Sequence, residues 1–354
     1  GPQKEAPTST NDFDASPQRE KRQNKGQAMN QIYRALHMPP RRLLKKLSGQ
    51  KEIYTIAVRR IPADEPLPAL GEGVFTPLPF DGKTWYADPL LYTRDGSRYL
   101  FCEAFDLSAG RGDIAVIPLS GDGAFGTPQT VLSTGSHLSF PMVFDWNGDT
   151  WMLPESSADH SLTLYRCAEF PGRWEPAARF AVGCELCDTI VLSSTGDALT
   201  LLCSETRTEN QLYTRYRRFT LRHTRAEGEL GTGDELESGA FVLEPDEPFN
   251  LQHREFGLGF RNAGPLFTLG GQVIHPTQVS TRVDYGVYLQ FFARRGASEI
   301  PLCAAAPHIV RIAGLDPRDV VGIHTYCRDD VFEVIDARYL TRLPQSPAAP
   351  APEE

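Results

Sequence analysis

What most limits the folds open to this chain is a hairpin that recurs five times with one internal phase. Each copy reads as a strand, a tight polar turn and a second strand with a polar residue at or near its end. ADPLLYTRDGSRYLFCE has Gly96 in its turn and Glu103 seven residues on, and SFPMVFDWNGDTWMLPE has Gly148 and Glu155 at the same interval. CDTIVLSSTGDALTLLCSE has Gly196, with Cys203 at seven and Glu205 at nine. NAGPLFTLGGQVIHPTQ has Gly271 and Gln278, and GIHTYCRDDVFEVID has Asp329 in place of the glycine and Asp336 at seven. Successive anchors lie 52, 48, 75 and 58 residues apart, and self-similarity near 50 marks propeller blades. The long third gap carries an insertion, placed in the Gly- and Glu-rich stretch 226–239. DIAVIPL from Asp113, LTLYRCA from Leu162, LYTRYRRFTL from Leu212 and YGVYLQFF from Tyr285 supply third strands. The expectation is an all-β, five-bladed β-propeller, since a β-sandwich of equal strand count would not repeat the hairpin phase.

A propeller ring usually closes by borrowing an outer strand from the other end of the chain, which removes an exposed edge. EIYTIAVR from Glu52 alternates cleanly and is expected to complete the blade of HTYCRDDVFEVID. Residues 1–27 are polar and poor in aromatics, the composition of a disordered tail. In 28–51, Met29, Ile32, Tyr33 and Leu36 follow helical spacing up to Pro39-Pro40, predicting a short amphipathic helix and then a basic linker. The propeller occupies 52–343, and 344–354 is a disordered Pro/Ala tail.

Charge separates these parts. Residues 1–52 hold eleven Lys and Arg against five Asp and Glu, whereas the rest hold 25 against 40. An acidic body argues against nucleic acid as a partner. The basic segment 28–51 could meet an anionic membrane surface, a partner protein or the acidic body itself. No apolar run is long enough to span a membrane and no signal peptide is present in the sequence, and with seven cysteines and no N-x-S/T sequon a cytoplasmic setting is favoured. GxSxG, P-loop and HExxH motifs are absent.

Counting back eight from the turn glycine reaches Asp88 in the first repeat and Asp188 in the third, both at the start of innermost strands. Glu103 and Glu155 end second strands near the same rim. Four carboxyls in one funnel suit cleavage or transfer of a glycosyl unit, which needs an acid to protonate the leaving oxygen and a base or nucleophile opposite. Glu155 is the expected donor, because Pro154 stiffens its backbone and Met152 and Leu153 flank it. Asp88 is the expected base or nucleophile, Asp188 orients the sugar or holds Glu155 protonated, and Glu103 is the reserve for either role. His137, Ser139, Arg111, Arg261, Asn262, Gln278 and His324 are candidate substrate contacts. The same acids could instead cap turns or pair with Arg98, Arg111 and Arg166, which would leave a glycan-binding scaffold without catalysis. No metal or cofactor is required, although four acids near one axis could hold Ca²⁺.

ADPLLY, YLFCEAFDLSAGRGDIAV, HLSFPMVFDWNGDTWMLPESS, LTLYRCAEFPGRWE, RNAGPLF and GIHTY with EVIDAR resemble the β-propeller domain at the N-terminus of plant glucosamine inositolphosphorylceramide transferases and of bacterial surface-polysaccharide proteins. That family is similar to five-bladed glycosidases such as arabinanases and levansucrases, which implies an Asp/Asp/Glu set carried by Asp88, Asp188 and Glu155. The resemblance implies a surface-glycan or glycolipid context. Where the family reads R-P-A-G and R-P-x-Q-D, this chain has Arg261-Asn262-Ala263-Gly264 and His275-Pro276-Thr277-Gln278-Val279, so an aspartate is missing.

Overall fold

A computed structural model describes residues 37–62, 70–156, 159–224, 240–296 and 298–344. The predicted tail 1–27, the predicted helix over 28–38 except its last two residues, the predicted tail 344–354 except Pro344, and the insertion near 226–239 lie outside them. The described chain opens with helix α1 (Pro40–Leu47), in a stretch read from sequence as linker. Pro39-Pro40 starts this helix, because a proline in the first turn lacks only an N–H that has no helical partner there.

Strand β1 (Lys51–Arg60) follows, then β2 (Thr76–Pro77). Blade I is β3 (Thr84–Arg94), β4 (Ser97–Asp106), β5 (Arg111–Leu119) and β6 (Gln129–Leu132). Blade II is β7 (Ser139–Trp146), β8 (Asp149–Glu155), β9 (Ser161–Glu169) and β10 (Arg173–Ala181). Blade III is β11 (Leu186–Thr195), β12 (Ala198–Arg207), β13 (Asn210–His223) and β14 (Phe241–Pro245). After helix α2 (Glu247–Gln252), β15 (Gly257–Leu258) adds to β13. Blade IV holds β16 (Phe260–Asn262), β17 (Phe267–Leu269), β18 (Gln272–Val279), β19 (Tyr288–Arg295) and β20 (Ser298–Ala305). In blade V, β21 (Val320–Gly322) and β22 (Tyr326–Arg328) pair with β23 (Phe332–Thr341), and β1 and β2 complete the sheet.

Five antiparallel sheets arise in this way, and the protein is a five-bladed β-propeller. Innermost strands touch in turn, β3 with β7, β7 with β11, β11 with β16 and β22 with β3. The ring is completed where Tyr326 N–H donates to the Ala263 carbonyl at 2.7 Å. The expected closure is present: β1 pairs with β23 from Lys51↔Thr341 to Arg60↔Phe332 without a break. The hairpin phase has a local cause. Asp95-Gly96, Asn147-Gly148 and Gly270-Gly271 all have positive φ, as the two-residue turns that match strand twist require. Apolar residues between blades form the core, with one cluster beneath blades I–III and others at the IV–V and V–I seams.

Candidate active site

The innermost strands of blades I, II and III share one irregularity. Register shifts between Ala87 and Leu90, Ser139 and Met142, and Cys187 and Ile190 place a bulge eight residues before each turn glycine. The residue in the bulge is left-handed, with φ of 51° at Asp88, 42° at Phe140 and 51° at Asp188. Aspartate tolerates this region better than most side chains, and a bulge re-aims the side chain it carries. Asp88 and Asp188 thereby occupy matching places on the innermost strands of blades I and III, close enough for the charge of Asp188 to bear on Asp88.

Around Asp88 that network is tight. Thr325 Oγ1 donates to Asp88 Oδ1 at 2.8 Å, and the Phe140 N–H reaches Oδ2 at 3.3 Å. His324 Nε2 lies 3.4 Å from Asp88 Oδ1, and its Nδ1 lies 2.6 Å from Asp336 Oδ2. Asp336 also accepts the N–H groups of Asp88, His324 and Thr325 at 3.0, 3.0 and 2.9 Å. Burial, with the charges of Asp336 and Asp188, pushes the Asp88 carboxyl up to about 6 despite His324 and Thr325. Burial opposes charge on His324, yet the two carboxylates beside it raise the imidazole, and for Asp336 the nearby imidazole outweighs burial and holds the acid down.

Asp188 is held differently. Arg261 forms a bidentate pair with it, Nε to Oδ2 at 2.5 Å and Nη2 to Oδ1 at 3.0 Å, and Gln278 Nε2 reaches Oδ2 at 3.4 Å. Glu155 Oε2 accepts the Asp188 N–H at 3.3 Å and lies 3.7 Å from Arg261 Nη2. The neighbour of the Glu155 carboxyl is thus a guanidinium, while Met152 and Leu153 are fully buried in the core. Asn262 is fully buried and spends its amide on the carbonyls of Asp188 and Leu202, so it builds the wall behind the funnel. Its Oδ1 meets His275 Nε2, whose ring also meets Glu299. Gln278 and Ser139 are likewise buried.

Glu103 is buried at the I–II seam, with His137 Nε2 3.6 Å from Oε1. Burial first, then the charges of Asp88, Glu155 and Asp336, drives its carboxyl well above the usual carboxylate range. A β-carbon on Gly112 would lie 2.6 Å from both Glu103 Oε1 and the Leu138 carbonyl, so glycine is what admits this carboxyl. Arg111 reaches the Gly135 carbonyl at 3.2 Å and lies 3.8 Å from Asp113.

The arginines expected to neutralise the acids do so elsewhere, Arg98 on Asp329 and Arg166 on Asp149. Arg261, expected as a substrate contact, is the cation that meets the acids. Asp336 was missed as a site residue although its repeat phase equals that of Glu103 and Glu155. Two donor groups converge closely enough to be weighed as metal sites: Asp88 with His324 and Asp336, and Glu155 with Cys187 and Asp188. Neither is the all-oxygen shell that Ca²⁺ takes, and in the first set the carboxylate oxygens already accept N–H and O–H donors. Arg215, Arg217 and Arg218 of β13 pair with Glu205 and Asp246.

A family profile described as "Glucosamine inositolphosphorylceramide transferase 1, N-terminal" matches residues 80–293, about three fifths of the chain. The curated glucosamine inositolphosphorylceramide transferase 1 of Arabidopsis thaliana is 40% identical over 90 residues, covering 25% of this chain and 12% of that protein. The protein of the same name from Oryza sativa subsp. indica is 36% identical over 89 residues, again 25% and 12%. The match therefore spans about an eighth of the length of these relatives. Among solved structures, the α-L-arabinofuranosidase of Podospora anserina in complex with cellotriose aligns at a TM-score of 0.47 and 10% identity, covering 73% of this chain and 92% of that one. The α-L-arabinanase of Cellvibrio cellulosa aligns at 0.39 and 16%, covering 63% and 77%.

Proposed function

Because the chain belongs to the family of the N-terminal domain of glucosamine inositolphosphorylceramide transferase 1, we propose that its funnel cleaves or transfers a glycosyl unit in a surface-glycan or glycolipid pathway. The observation that supports this reading is the left-handed bulge repeated in blades I and III at Asp88 and Asp188, whose charges, with those of Glu103 and Glu155, bear on one another. Strain of about 1–3 kcal/mol per residue in that region persists where the surroundings over-determine it, and such positions cluster at functional sites. Asp88 is the base or nucleophile: near neutral pH it is ionised, and its position is fixed by Thr325 and by the Asp336–His324 pair. Asp188, neutralised by Arg261, orients sugar hydroxyls rather than carrying free charge. A glutamic acid of the second strands protonates the leaving oxygen. The sugar suggested by the relatives' name is glucosamine, and the acceptor an inositol-phosphate lipid.

One observation favours a second reading. Arg261 occupies both oxygens of Asp188, and Glu155 is engaged by the Asp188 N–H, which suits a glycan-binding scaffold in the same pathway. Turnover of aryl glycosides and activated sugars by the purified chain decides between them. Asp88→Asn should not lower the melting temperature, should keep glycan affinity and should lose about 10³-fold or more in kcat. Saturable glycan binding in a parent chain with no turnover on any donor would establish the scaffold instead.

A further inference from the structure

Polar side chains at or near the ends of second strands share a task at the seams between blades. Asp336 Oδ2 accepts the N–H of Asp88 at 3.0 Å, Glu155 Oε2 that of Asp188 at 3.3 Å, and Ser204 Oγ that of Asn262 at 3.0 Å. Each bond ties one blade to the innermost strand of the next. Glu103 stands at the corresponding place in blade I and does not form it, because the Phe140 N–H of blade II goes to Asp88 Oδ2. At 5% exposure, Glu103 keeps an Oε1 atom with no hydrogen-bond partner. A buried carboxyl with an open oxygen is costly unless something else uses it.

The neighbouring histidine is oriented by the backbone. Gly112 N–H donates to His137 Nδ1 at 2.9 Å, so a neutral ring carries its proton on Nε2, the atom 3.6 Å from Glu103 Oε1. Burial lowers the His137 imidazole, which keeps that tautomer neutral at working pH. The ring is still 42% exposed, so the seam opens outward beside it. Phe105, two residues beyond Glu103 on β4, meets His137 edge-on at 6.1 Å and stacks on Trp85 at 4.4 Å. These rings give the seam an apolar wall.

Building on the glycosyl-transfer reading above, we infer that Glu103 is the proton donor of this funnel, that His137 is its positioning residue, and that the leaving group lies along the seam between blades I and II. As the bond from the anomeric carbon to the glycosidic oxygen breaks, its electron pair stays on that oxygen and the Glu103 O–H proton passes to it. The alcohol departs neutral and Glu103 becomes a carboxylate. Asp88 meanwhile either bonds to the anomeric carbon or takes the proton of an incoming hydroxyl. The new charge on Glu103 faces His137 Nε2–H, which donates to it, and donors aimed at developing charge lower barriers. Where Asp88 has bonded to the anomeric carbon, an incoming hydroxyl oxygen then displaces it, Asp88 leaves as a carboxylate and the hydroxyl proton returns to Glu103; where Asp88 has instead taken that proton, it gives it to solvent and Glu103 regains one from solvent.

Leaving-group dependence separates this donor from Glu155. The probes are 2,4-dinitrophenyl and phenyl glucosaminides of both anomers, because the dinitrophenolate leaves without a proton. Glu103→Gln should lower kcat/KM on the phenyl glycoside about 10²–10⁴-fold and on the dinitrophenyl glycoside less than about 10-fold. Glu155→Gln should lower both alike and reduce the melting temperature through the lost charge facing Arg261. His137→Ala should move the basic limb of the pH profile upward, and His137→Gln, which keeps an N–H donor, should restore it. Leaving-group dependence in Glu155→Gln but not in Glu103→Gln overturns the assignment. If the parent turns over neither probe, the glycosyl-transfer reading fails separately. Infrared difference spectra then decide the state of Glu103, which must show a protonated-carboxyl band at neutral pH that Glu103→Gln removes.

Discussion

The φ of +51° at Asp88 turns its carboxyl away from the strand's alternation and into contact with polar groups of two other blades, and its titration follows from that placement. An aspartate raised from 3.8 to about 6 is favoured protonated in the folded chain. Its contribution to stability is therefore full below 3.8 and lost as pH climbs through about 6, whereas action as a base begins only above about 6. Comparing melting temperatures of the parent and Asp88→Asn from pH 4 to 7 should show the difference moving in favour of the variant as pH rises. The pH profile of kcat/KM should be a bell whose acid limb lies near 6, with the basic limb set by Glu103, held far above an ordinary glutamate. Gly112→Ala tests the other carboxyl. Its β-carbon would displace Glu103, so turnover should fall with the phenyl leaving group while the fold persists in circular dichroism. Asp88 and Asp188 were legible in the sequence because a repeat phase carries a side chain to the same place in each blade. That Glu103 is unengaged was not legible, because it depends on which acceptor the Phe140 N–H finds across a seam.

Strand β1 was legible for a similar reason, since its alternation had no partner nearby and blade V lacked a strand. Helix α1 was not. Its basic residues look like solvated charge until Asp284 and Asp319, distant in sequence, and Glu52 of β1 are folded against them: Arg41 and Lys45 on Asp319, Arg42 on Glu52 and Asp284, and Lys46 on Glu52. Arg42 and Asp284 are both largely covered, at 14% and 6% side-chain exposure, and Arg338 also pairs with Asp284 at 2.8 Å. The helix is in this way fastened to the closing blade, while Leu44 and Leu47 face solvent. Removing residues up to Leu47 should cost about 1–3 kcal/mol, read from the midpoint of urea unfolding, because part-buried ion pairs are lost without loss of core. Removing residues through Arg60 should abolish cooperative unfolding, since every residue from Ile53 to Arg59 is buried.

For the molecule as a whole, the ring is the unit of stability, because each blade buries its apolar faces only against two neighbours. Trp146, Trp151 and Trp174 are buried in blade II, with blade I between them and the V–I closure, and Trp85 of β3 is part-exposed. Ala57→Pro, in the middle of the β1–β23 pairing, should therefore loosen those distant tryptophans in the same denaturation step that removes the far-ultraviolet signal; two separate transitions would show that the blades melt singly. The pairing of β1 with β23 also has a bearing on how the chain is made. A ribosome releases β1 more than 270 residues before its partner strand, which at about 5–20 residues per second is a wait of roughly 15–50 s. Throughout that interval the apolar residues Ile53, Ile56 and Val58 have no native surface to lie on. The cell must hold an unclosed ring, and β1 is the strand most in need of a chaperone.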